Sequence, residues 1–163
     1  MADALRPVSI ADLLGAAESE LSFSVDQPIA ALQSAVPVKG SLRLWLEGPL
    51  LRVEGKAETS VELRCDRCLQ PFQQRLTAQA SERIALGTST ADLDEALAFD
   101  AEGISEQIDP QGSFDPEQWL YEQLTLQLPL VNRCGRQCPG PASWGNAEPL
   151  ADPRWAALKK LQS

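Results

Sequence analysis

Apolar and polar residues alternate along the middle of the chain over an unusually long distance. From Leu51 to Cys65, every second residue is small or apolar, and the residues between them are mostly charged. A period of two is typical of a β-strand with one face in the core and the other in water. Cys65 ends this strand in its buried phase, and Gly55 predicts a bend or bulge part-way along it.

Two neighbouring runs repeat this alternation. One precedes Gly48-Pro49 and places Leu42, Leu44 and Leu46 on one face. The other follows Pro71, and its apolar face comprises Phe72, Leu76, Ala78, Ala80, Ile84 and Leu86. Gln74 and Glu82 interrupt that face. Short turns between strands favour antiparallel pairing, and an apolar sheet face needs helices to cover it. The predicted fold class is therefore α+β: an antiparallel β-meander or partly closed sheet with a few covering helices and a cysteine-tied C-terminal tail.

Two helix starts stand outside these runs. Ser9 followed by Asp12 predicts a short helix near the N-terminus that buries Ile10, Leu13 and Leu14. The second start combines an N-cap aspartate, a proline at the first helical position and an acid in the first turn, in Asp115-Pro116-Glu117-Gln118. Its apolar stripe is Leu120, Leu124 and Leu128, and Pro129 is predicted to end the helix.

The length predicts a single domain over residues 1–163, with an acidic loop region at 87–114 and an irregular tail at 135–163. A short strand is predicted at Ala96–Phe99, and a short helix that carries Trp155, Lys159 and Lys160 is predicted in the tail. No run approaches the length of a membrane-spanning helix, and the N-terminus lacks the pattern of a secretory signal. We therefore expect a cytoplasmic protein without a membrane partner.

Charge and composition restrict the function. The net charge is −9, and residues 84–132 contain no Lys or Arg. An acidic surface repels phosphate and attracts basic partners, although a solvated acidic loop that aids solubility is the simpler interpretation. The chain has no histidine, which excludes the Ser-His-Asp triad, the Cys-His pair and histidine metal ligands. We expect a protein that is not an enzyme and has no small-molecule substrate.

The four cysteines form two close pairs, Cys65 with Cys68 and Cys134 with Cys138. Both spacings allow two thiolates to bind one ion, and four thiolates suit structural Zn²⁺ or an iron–sulfur cluster. Arg67, Arg133 and Arg136 would offset the charge of zinc held by four thiolates. A redox-active CxxC pair and metal-free core thiols remain as alternatives. Zinc bound by all four cysteines is the favoured prediction.

The order of these features resembles the YceD-like family of large-subunit ribosomal RNA accumulation proteins. The resemblance covers roughly residues 35–140. It depends on Cys65, Cys68, Leu69, Pro71 and Phe72, followed by the Leu-rich helix, Leu128-Pro129 and Cys134. Many relatives continue with a further C-x-x-C-G, whereas this chain reads Cys138-Pro139-Gly140-Pro141. Metal chemistry shared across the whole family is therefore not implied.

The resemblance implies a ribosome-biogenesis factor that supports accumulation or processing of large-subunit ribosomal RNA, without catalysis. A basic RNA-binding face is not evident from the sequence, because the arginines are scattered and aromatic residues are few. A basic ribosomal protein or an assembly factor is the favoured partner, and direct RNA contact is not favoured. A redox-responsive CxxC thiol protein is the alternative function.

Overall fold

The structure is a computed structural model that describes residues 5–87, 94 and 104–141. The strands are β1 (Val8–Ser9), β2 (Glu20–Gln27), β3 (Val38–Glu47), β4 (Leu50–Arg64), β5 (Pro71–Leu86), β6 (Ile104–Ile108) and β7 (Ser113–Phe114). The helices are α1 (Ile10–Gly15) and α2 (Pro116–Thr125), with 3-10 turns at Ala17–Ser19 and Ala30–Leu32. This mixture of one main sheet and two helices confirms the α+β class.

The main sheet has five strands in the order β2-β3-β4-β5-β6. Strands β2 to β5 form the predicted antiparallel meander, and β4 pairs with β5 over its whole length, from Leu50↔Ala85 to Arg64↔Pro71. The prediction of partial closure is wrong, because β2 and β6 are the two edges of an open sheet. Strand β6 had no counterpart in the sequence prediction; it pairs with β5 in parallel, after a crossover that local alternation does not encode.

A small second sheet and α1 lie at the N-terminal end of the described chain. Strand β1 pairs with β7, and Ser9 caps α1 by accepting a hydrogen bond from the Asp12 N–H at 2.9 Å. The helix begins as predicted and buries Ile10 and Leu13. Leu14 was predicted to be buried, but it is 63% exposed because a single short turn presents only part of its surface to the core.

Helix α2 lies against the inner face of β4 and β5. Its predicted N-cap is confirmed, since Asp115 accepts hydrogen bonds from the N–H groups of Glu117 and Gln118. The helix ends at Thr125 rather than at Pro129, so Leu126 is 74% exposed and Leu128 only half-buried. Pro116, Trp119, Leu120 and Leu124 of α2 are buried, and the last three join the sheet and α1 in one hydrophobic core.

Trp119 explains two irregularities in the strand pattern. A Cβ on Gly55 would lie 2.7 Å from Cζ3 of Trp119, so the glycine makes room for the indole ring. The predicted bulge is absent, because the pairing continues through Gly55 on both sides. Glu82, which interrupts the apolar phase of β5, accepts a hydrogen bond from Trp119 Nε1 at 2.6 Å and one from Gln123 Nε2 at 3.0 Å. The carboxylate thus satisfies two donors of α2.

Neither helix of the described residues is long and apolar enough to cross a membrane. The predicted strand at Ala96–Phe99 and the predicted tail helix with Trp155, Lys159 and Lys160 lie outside the described residues.

Candidate metal centre

The first cysteine pair lies in the turn that joins the two longest strands. We call residues 65–70 the first cysteine loop. The Cys65 N–H donates to the Gln70 carbonyl and the Leu69 N–H donates to the Cys65 carbonyl, both at 2.9 Å, so the loop closes on itself. Leu69 adopts a left-handed conformation with φ 61°, which turns the chain into β5. The alternation of β4 carries Cys65 to the inner side, where it is fully buried, and Cys68 is 5% exposed.

The second cysteine pair follows α2 and is attached to the first loop by its backbone. We call residues 132–138 the second cysteine loop. The Asp66 N–H donates to the Asn132 carbonyl at 2.9 Å, and the Asn132 N–H donates to Oδ2 of Asp66 at 2.7 Å. A further turn is closed by the Cys138 N–H, which donates to the Gly135 carbonyl at 3.3 Å. These bonds place Cys134 and Cys138 against the first loop, where both are half-buried.

The structure brings all four predicted cysteines together. Their Sγ atoms lie within 4.8 Å of one another, with 3.6 Å between Cys68 and Cys134 and 4.0 Å between Cys65 and Cys138. Four thiolates bound at about 2.3 Å to a tetrahedral Zn²⁺ are separated by about 3.8 Å. The observed spacing matches a site for one ion, and it is far longer than the ~2.05 Å of a disulfide bond.

The electrostatics of the cluster also suit a cation. Backbone N–H groups, first that of Cys68 and then that of Cys134, lower the pKa of the Cys65 thiol to about 6. Burial, followed by the neighbouring thiols, raises the pKa of Cys134 to about 12. One thiol of the cluster can therefore ionise readily, whereas ionisation of a further thiol beside it is unfavourable. A divalent cation at the centre of the four sulfurs would remove this opposition.

In the described part of the chain, no other cluster of three or more Cys, Asp or Glu residues has a metal-binding arrangement. The acids of residues 84–132 that the structure describes do not converge in this way. Sequence reasoning missed the contact of Glu82 with α2, although a charged residue in an apolar phase is a signal that a buried partner exists. It also missed the reciprocal hydrogen bonds between Asp66 and Asn132, for which spacing offers no signal.

Comparison with known proteins identifies the family. Residues 53–162, about two thirds of the chain, match the family model described as large ribosomal RNA subunit accumulation protein YceD. The chain belongs to the YceD family. This match confirms the resemblance drawn from the cysteine signatures, and the YceD region contains both cysteine loops together with α2. No curated protein and no solved structure was found to match this YceD-family chain.

Proposed function

We propose that this protein supports accumulation of large-subunit ribosomal RNA in the cytoplasm as a non-catalytic adaptor for a basic ribosomal protein or assembly factor. Membership of the YceD family is the observation that carries the ribosomal role. The adaptor role is supported by the charge of the chain and by the absence of histidine. Catalysis has no role in this proposal, and the metal is structural.

Zinc is the ion proposed for the cysteine cluster. Thiolates are soft ligands that favour zinc over magnesium or calcium, and the sulfur spacing suits a single tetrahedral ion. The ion would be held by Cys65, Cys68, Cys134 and Cys138. With four protein ligands, no coordination position of the zinc remains open for substrate. Zinc would thereby tie the end of the β4–β5 hairpin to the segment after α2. Since no such site exists in the unfolded chain, zinc binding would stabilise the fold.

The acidic surface is the proposed contact for the partner. Between β6 and the end of α2, the exposed acids Glu106, Asp109, Asp115 and Glu122 form no ion pair within the described residues. Uncompensated carboxylates raise the association rate with a basic protein, and this effect decreases with ionic strength. Asp115 is occupied as the cap of α2, and Asp109 accepts a hydrogen bond from the Gln111 N–H. Glu106 and Glu122 are therefore the members to neutralise, since neither side chain accepts a hydrogen bond from the backbone within the described residues.

A charge-matched pair of variants tests the adaptor role. Glu106→Gln/Glu122→Gln should lose the bound basic protein in affinity isolation from native cells and lower the level of large-subunit ribosomal RNA. Glu54→Gln/Glu62→Gln removes the same charge from exposed positions of β4 and should retain both. Equal loss of the bound protein and of ribosomal RNA in the two double variants would refute the adaptor role. Recovery of a partner that is not basic would refute it as well.

The alternative, a redox-responsive CxxC protein, requires Cys65 and Cys68 to exchange between dithiol and disulfide. Two observations favour the metal site over this alternative. The CxxC lies between two strands and not at a helix N-terminus, and each of its sulfurs also approaches a sulfur of the other loop. A reversible Cys65–Cys68 disulfide under mild oxidant, with no zinc retained after zinc-supplemented expression, would instead establish the redox function.

A further inference from the structure

Three arginines surround a cavity beside the metal centre. Arg67 comes from the first cysteine loop, and Arg133 and Arg136 come from the second. With Gly135 and Cys138 they line an open cavity of about 520 Å³. This volume lies in the range of cavities that hold small ligands or parts of larger ones. The docking of the two loops therefore converts scattered arginines into one basic site.

These arginines differ from those of the sheet in what they contact. All three are exposed, and none of their side chains forms an ion pair or a hydrogen bond within the described residues. On the sheet, by contrast, Arg43 pairs with Glu20 and Arg75 with Glu58. The guanidinium groups at the cavity thus retain their N–H donors for an external acceptor.

Charge compensation of the metal accounts for only part of this arrangement. Zinc held by four thiolates carries two negative charges, which two guanidinium groups would balance. Asp66, the acid of the first loop, accepts a hydrogen bond from the Asn132 N–H and forms no ion pair with any of the three arginines. A guanidinium carries five donors in a planar fork, and this geometry matches the oxygens of a phosphate.

We propose that this cavity binds the phosphate backbone of RNA. The choice of RNA among polyanions rests on the ribosomal role proposed above. Among the described residues that line the cavity there is no aromatic side chain, so the proposed interaction is with phosphate and not with the bases. Contacts to phosphate alone position a protein on RNA without reading its sequence. The acidic surface elsewhere would repel RNA and confine it to this end of the molecule.

The salt dependence of RNA binding tests this proposal. The probe is a short, unstructured, fluorescently labelled RNA, and binding to the full zinc-loaded chain is followed by fluorescence anisotropy. Three phosphate contacts to a single strand predict a slope of about −2 in log affinity against log salt, or roughly a 20-fold loss between about 50 and 200 mM. Arg133→Gln or Arg136→Gln should each reduce the loss of affinity over the same salt range to roughly 7-fold. Arg75→Gln is the matched control, which removes the same charge from the sheet and should retain the 20-fold dependence.

The outcomes separate this site from its alternatives. Equal weakening by Arg75→Gln would show that only net charge matters and would overturn the proposal. Loss of zinc in all of the cavity variants, measured by elemental analysis, would assign the arginines to the metal centre and overturn it too. Competition by polyglutamate as effective as by unlabelled RNA would assign the site to acidic peptides. If depletion of the protein lowers ribosomal RNA but Arg133→Gln and Arg136→Gln bind RNA normally, only this inference fails; if depletion has no effect, the proposed function fails.

Discussion

The contact between Glu82 and α2 should control both the stability of the fold and the metal centre. Glu82→Leu leaves the indole N–H of Trp119 without an acceptor. Trp119 is 4% exposed, so water cannot replace the lost bond at 2.6 Å. An unsatisfied buried donor costs about 1–3 kcal/mol. Gln123 is half-buried and can be rehydrated, so its bond adds little. We expect a net loss of about 1–2 kcal/mol.

A double-mutant cycle isolates this interaction. Trp119→Phe removes the donor, so Glu82→Leu should cost about 1–2 kcal/mol less in that background than in the wild type. Urea unfolding followed by circular dichroism, at one fixed free-zinc concentration, measures each free energy of unfolding, because bound metal shifts stability. Glu82→Gln keeps one acceptor oxygen and serves as the control, with a smaller expected loss.

The cycle also has a clear refutation. A coupling energy within the roughly 0.3–0.5 kcal/mol of simple additivity would show that the carboxylate does not support Trp119. Zinc affinity is the second measurement, since the second cysteine loop follows α2 after the short segment 126–131. Destabilised attachment of α2 should weaken zinc binding in Glu82→Leu, whereas unchanged affinity would separate the helix contact from the metal centre.

Three further substitutions have defined expectations. Gly55→Ala places a Cβ 2.7 Å from Trp119 and should lower the free energy of unfolding, measured by thermal unfolding, by about 1–3 kcal/mol. Gly15→Ala, where a Cβ has nothing within 4 Å, should be neutral or slightly stabilising, and equal effects of the two substitutions would contradict the packing argument. Leu69→Val forces a β-branched residue into φ 61° and should lower the free energy of urea unfolding by about 1–2 kcal/mol, while Leu69→Gly should be tolerated. If Leu69→Gly were the more destabilising of the two, the apolar side chain would matter more than the backbone conformation. Asp66→Ala removes a hydrogen bond to the second cysteine loop and should lower zinc affinity roughly fivefold, or about 1 kcal/mol, in chelator competition. Asp66→Asn keeps an oxygen acceptor and should bind zinc nearly normally. Equal losses of zinc affinity in the two variants would indicate that the charge of Asp66 is responsible, and not its positioning of the loop.

Local patterns in the sequence determined the elements whose stability depends on near neighbours. The period of two predicted β3, β4 and β5, because side-chain direction in a strand alternates regardless of the rest of the fold. Asp115-Pro116 predicted the start of α2, because a cap satisfies N–H groups only two or three residues away. The spacing of each cysteine pair predicted a metal-binding turn for the same reason. Whether zinc occupies the site stays a prediction.

Contacts between distant residues were decided only by the tertiary structure. Gly55 interrupted the strand pattern as a bulge would, but its cause is an indole ring from a helix more than sixty residues later in the chain. The parallel pairing of β5 with β6 and the open edges of the sheet have no local signature, because they depend on residues far apart in the chain. The sequence predicted Arg67 and Arg136 near the zinc, but the cavity that they line depends on how the two loops dock. A sequence records which side chains are available, whereas their mutual distances depend on packing of the whole core.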